Sequence, residues 1–90
     1  MANGKAYRAH QLSVVMAMVQ SFIDDGYIIR NKYIGLSWWF WRIKHLSNGS
    51  EVTIEGLPEH NTFKIIRDGR QIKTGAILTK KQKDESENIK

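Results

Sequence analysis

The sequence predicts an α+β domain: an N-terminal amphipathic helix packed on a four- or five-stranded antiparallel β-meander. Three observations carry this prediction. Between Ala6 and Asp25 apolar residues recur at helical spacing. After Gly26 the period changes to alternation, with β-branched and aromatic residues in short runs. Within that alternating region, Asn48-Gly49 and Asp68-Gly69 are the dipeptides that most favour two-residue hairpin turns.

The helix comes first. Asn3 is a candidate N-cap, and residues 1 to 5 are expected to fray. Leu12, Val15, Met16, Val19, Phe22 and Ile23 fall on one stripe, with His10, Ser13, Gln20, Ser21 and Asp24 opposite. Val14 and Met18 lie off the stripe and imply a wide buried face or a second contact. Gly26 supplies a left-handed C-terminal cap.

Tyr27 to Ile34 reads as a strand that Gly35-Leu36 ends, and whether it joins the main sheet is left open. Ser37 to Leu46, which holds all three tryptophans of the chain, is the most apolar strand candidate. Glu51 to Gly56 follows the first tight turn, and Leu57 to Asn61, with the one proline of the chain, makes a longer loop. Thr62 to Arg67 and Arg70 to Leu78 flank the second turn. Residues 1–79 form one domain on this reading, and 80–90 form a charged tail expected to be disordered.

Two-residue turns set a register. Around Asn48-Gly49 it pairs Ile43 with Ile54 and Arg42 with Glu55, an apolar pair on one face and an opposite-charge pair on the other. Around Asp68-Gly69 it pairs Ile65 with Ile72 and Lys64 with Lys73. The inner face then holds Trp39, Trp41, Ile43, Val52, Ile54, Phe63, Ile65 and Ile72. The outer face holds Trp38, Phe40, Arg42, Lys44, Lys64, Ile66 and Lys73, with Thr53 and Glu55.

Composition narrows the function. In a chain of 90 residues without cysteine, the core alone must hold the fold, a composition that fits a reducing, cytoplasmic setting. No apolar run is long enough to span a membrane, so no membrane insertion is expected. The net charge is +5, and its excess lies between Tyr27 and Thr79, where eight basic residues face four acidic ones. Such a surface favours nucleic acid, anionic lipid or an acidic protein surface.

Catalysis has little support. His10, His45 and His60 are far apart and show no metal-ligand spacing. No phosphate-binding glycine loop, nucleophile motif or paired carboxylates are present, so neither an enzyme nor a cofactor is expected. His45 reads as a half-buried, hydrogen-bonded residue near a turn. The outer face carries more. Trp38 and Phe40 in line with Arg42 and Lys44, extended by Lys64 and Lys73, combine stacking platforms with phosphate-seeking cations. A non-enzymatic module for single-stranded or irregular nucleic acid is the favoured expectation. The alternatives are a protein-interaction module using the same face, an adaptor, inhibitor or homodimer, and a face covered by the chain's own ends.

The element order resembles cystatin-like and double-stranded-RNA-binding architectures. The chain lacks the terminal helix of the second and any recognisable inhibitory loop of the first, and a likeness of element order licenses no function.

Overall fold

A computed structural model describes residues 4–79 and shows the expected architecture: one helix packed on a five-stranded antiparallel meander. Helix α1 spans Gly4–Asp24, and the strands are β1 Tyr27–Ile34, β2 Trp39–His45, β3 Glu51–Leu57, β4 Thr62–Arg67 and β5 Arg70–Ala76. The sheet order is the chain order, as short antiparallel connections require. Gly4 and Lys5, expected to fray, belong to the helix; Asn3 and residues 80–90 lie outside the described residues.

The core sits between α1 and the inner face of the sheet. Val15 and Val19 are buried against Trp39, Trp41, Ile43, Val52, Ile54, Phe63 and Ile65. Val14 and Met18 pack against this cluster, so the wide-face alternative holds, whereas Met16 is exposed. Beyond β5, Ile77 and Leu78 are also buried and close the β5 side of the core.

The first hairpin differs from the expected register. Ile43 pairs with Val52, Arg42 with Thr53 and Phe40 with Glu55, a displacement of two residues. The turn is wider: His45 N donates to Ser50 O, and only Gly49 of the Asn-Gly pair has positive φ, 72°. A two-residue turn of type I′ would need both, and one of type II′ would need it at Asn48. The His45 ring favours the wider loop. Its Nδ1 accepts hydrogen bonds from the Ser47 and Asn48 amides, which leaves the proton on Nε2, 3.0 Å from the Asp25 carbonyl that accepts it. Because side chains alternate with a period of two, an even displacement keeps every residue on its expected face.

His45 thus ties the helix–β1 junction to the β2–β3 turn while its ring stands edge-on to Tyr27 at 4.8 Å. His45→Phe keeps a ring beside Tyr27 but forfeits the hydrogen bonds. It is expected to lower stability by about 1–2 kcal/mol, read from the midpoint of urea unfolding; an unchanged midpoint would show the wider turn closes without the imidazole.

The second hairpin turns as expected at Asp68-Gly69, with φ of 48° and 83°, and Arg67 meets Arg70. A bulge then intervenes. Ile65 meets Lys73 rather than Ile72, and Lys64 meets Thr74 rather than Lys73. Ile72 is the extra residue and is exposed rather than part of the core. The bulge brings Gly75 opposite Phe63, whose ring lies 3.3 Å from where a Cβ on Gly75 would stand. Any larger residue in that place would press on the ring.

Strand β1 does join the sheet, as an edge strand with its own bulge at Arg30. One inner row therefore reads Lys32, Trp41, Ile54, Ile65, Lys73 from edge to edge. A bulge beside an inward-placed lysine at each edge opposes pairing with a further strand.

Candidate functional site

The face of the sheet opposite α1 has no second layer among the described residues. Its central row runs Tyr33, Phe40, Glu55, Lys64, Thr74, and the next runs Asn31, Arg42, Thr53, Ile66, Gln71. Trp38 precedes β2 and leans over the first row. Its ring centroid lies 4.9 Å from that of Phe40 and 5.5 Å from that of Tyr33. Tyr33 and Phe40 stand 6.3 Å apart at an interplanar angle of 24°. The three rings form one contiguous patch, and the Trp38 indole N–H donates to Glu55 Oε2 at 2.9 Å, which fixes its tilt.

The tryptophans divide by burial. Trp39 and Trp41 are 2% exposed each, and Trp38 is 40% exposed. Alternation does this: a strand that buries Trp39 and Trp41 must turn Phe40 to the other side.

Of the six residues singled out from the sequence, five share the outer face. Trp38 and Phe40 belong to the ring patch. Arg42 follows on β2 with the uncharged Asn31 and Thr53 beside it. Lys44 lies between Ile28 and Glu51, and Lys64 between Glu55 and Thr74. Lys73 is the exception. The β5 bulge aligns it with Ile65, an inner-face residue, so it does not extend a positive track with Lys64. The cations that accompany the rings without a carboxylate opposite are concentrated on the β1–β2 half, at Arg42, with Arg30 exposed in the neighbouring bulge.

Tyr33 was not visible as a site residue because nothing placed β1 in the sheet and the Arg30 bulge shifts its parity. The short Gly35–Trp38 connection was the available signal, since it makes β1 and β2 a hairpin with Tyr33 opposite Phe40. The loop closes through Gly35 N donating to Trp38 O at 3.0 Å.

No group of three or more His, Asp or Glu side chains that could hold a metal occurs among the described residues, and no helix there is long and apolar enough to cross a membrane. No protein-family model, curated protein or solved structure matches this chain.

Proposed function

We propose that the chain is a non-enzymatic module that binds single-stranded or irregular nucleic acid across the β1–β2 half of its open sheet face. Tyr33, Trp38 and Phe40 supply the stacking platform, and Arg42 and Lys44 reach the phosphates. The observation that carries this reading is the alignment of three touching rings, Tyr33 and Trp38 exposed and Phe40 half-buried, with an arginine whose cross-strand neighbours are uncharged. Rings accept any base face, and the cations follow the backbone, which suits binding with little sequence preference. Glu51 and Glu55 on β3 confine the strand to the β1–β2 half by repelling phosphates from the rest of the sheet.

The test is anisotropy titration of a fluorescein-labelled single-stranded oligonucleotide over a salt series. Binding is expected at low ionic strength, with log K falling linearly in log salt. Trp38→Ala is expected to weaken it about 5- to 150-fold, the worth of one stacked base. Arg42→Gln should reduce the salt slope by about 0.7, the share of one phosphate on a single strand. Binding that is absent, or indifferent to both salt and Trp38, would refute the reading.

One observation favours a second reading. Glu51 opposite Lys44 and Glu55 opposite Lys64, on the same face as Arg42, make the outer face mixed in charge and complementary to itself, so two copies could pack face to face. Sedimentation distinguishes it: a concentration-dependent dimer lost in Trp38→Ala assigns the rings to protein contact.

A further inference from the structure

On the other side of the sheet, the layer that covers it is incomplete. Five strands span about 20 Å, whereas one helix with its side chains covers about 10 Å. Helix α1 contributes Val15 and Val19 to the core, and Ile77 and Leu78 beyond β5 are buried with them. Part of the inner side of β1 stays open. Ile29 and Ile34 pair with the inner-face residues Ile43 and Trp39, yet they remain 41% and 46% exposed.

Leu36 continues this strip. It is 92% exposed, although its loop is held from three directions. Gly35 N bonds Trp38 O, the Trp39 indole N–H donates to Gly35 O at 2.9 Å, and the Arg8 guanidinium donates to Leu36 O. A leucine presented to solvent by a fixed loop is pre-organised for contact. Ala9 and Leu12 of α1 line an open groove of about 650 Å³ with Leu36. Met16, one turn further along the same flank of the helix, is also exposed.

The surrounding charge is mainly positive. Lys5 and Arg8 line the groove, Lys32 lies on the inner side of β1 between Ile29 and Ile34, and Glu59 is the acid at the groove's end. A partner strand is disfavoured here. The Arg30 bulge breaks the edge, and Asn31 Oδ1 already accepts the Lys32 amide at 2.9 Å.

We infer that this shelf between α1 and β1 receives an amphipathic helix of a partner protein, with acidic residues flanking its apolar stripe. Residues at helical spacing on that stripe meet Met16, Ile34 and Leu36, and the acidic flanks meet Arg8 and Lys32, the helix-in-groove mode of recognition. The second helix completes the layer that α1 begins. The shelf and the ring patch lie on opposite faces, so the inference does not rest on nucleic-acid binding.

The experiment uses the full chain and a fluorescein-labelled synthetic helical peptide of about four turns, with leucines in one stripe and glutamates flanking it. A control peptide carries lysine at each glutamate position. Saturable binding of the acidic peptide alone is expected, weakened about tenfold or more by Leu36→Asp, which removes a buried leucine contact. Met16→Glu should act likewise. Both positions are exposed, and circular dichroism checks that each variant is folded. Trp38→Ala should leave the peptide's affinity unchanged. Equal binding of the lysine peptide, or indifference to Leu36→Asp, would overturn the inference. So would a dimer of the chain abolished by Leu36→Asp, which gives the shelf to a second copy, or equally Leu36-dependent binding to phosphatidylcholine–phosphatidylserine vesicles, which gives it to lipid.

Discussion

Replacing Trp39 by alanine is expected to destabilise the domain by about 4–5 kcal/mol, at the top of the range for aromatic truncation, and in a marginally stable chain of this size that approaches unfolding. The reason is the row in which it stands. Across β2 to β5 the inner positions read Trp39, Gly56, Phe63, Gly75, large and small in alternation. Trp39 fills the space above Gly56: a Cβ built on Gly56 would lie 2.9 Å from the indole Cε3. With the indole gone, its cross-strand neighbour has no side chain to fall into the cavity, and the Gly35 carbonyl loses the donor that holds it.

The same geometry predicts a reversal of sign. In the parent chain Gly56→Ala is expected to cost about 1–3 kcal/mol through overpacking. In the Trp39→Ala background it should be neutral or stabilising, because the clash is gone and a strand interior prefers alanine to glycine by about 0.5–1 kcal/mol. Urea unfolding followed by circular dichroism measures all four corners of this cycle. If Gly56→Ala cost the same in both backgrounds, the packing account of the row would be wrong.

What could be read from the sequence follows from which signals are local. Alternation assigned Trp39, Trp41, Ile43, Val52 and Ile54 to the core and Phe40 and Arg42 to the open face, and those assignments survive a register displaced by two. Face depends only on parity; register depends on the turn. The turn was misjudged because Asn48-Gly49 is a strong local signal that a third residue, His45, overrides through its ring nitrogens. Ile72 and Lys73 were misplaced for a different reason. A bulge changes parity, and this one is tied to the fit between Gly75 and Phe63, two strands' worth of information that no run of residues displays. Tyr33 shares that fate through the bulge at Arg30. The candidate site was therefore legible in its β2 half and hidden in its β1 half.

Asn61 was hidden altogether, and its replacement by alanine is the second change expected to have a large effect, about 3–4 kcal/mol. It reads as one more polar residue in a loop, yet it fastens three segments. Its Nδ2 donates to Leu78 O at 2.9 Å, and its Oδ1 accepts from Leu78 N at 3.0 Å and from Gln11 Nε2 at 3.2 Å. Gln11 Nε2 also donates to Pro58 O at 2.9 Å. Gln11 is fully buried in α1 and Leu78 is 1% exposed, so these bonds join the helix, the β3–β4 loop and the chain beyond β5 within the interior.

Alanine removes both bonds to the Leu78 backbone and leaves its N–H and C=O buried without partners, at about 1–3 kcal/mol for each such group before relaxation. It must also adopt a φ of 54°, a left-handed conformation that costs an L residue about 1–2 kcal/mol. Asn61→Gly separates the two causes: it restores the backbone freedom but not the bonds, and should recover about 1 kcal/mol of the loss. The alanine variant should melt on the order of 20 °C lower, with the Leu78 amide exchanging faster in both variants because its acceptor is gone in each. A glycine variant no more stable than the alanine one would dismiss the backbone contribution. An alanine variant within about 1 kcal/mol of the parent would mean that Ile77 and Leu78 are held by their apolar burial, with Asn61 an onlooker despite its three side-chain hydrogen bonds.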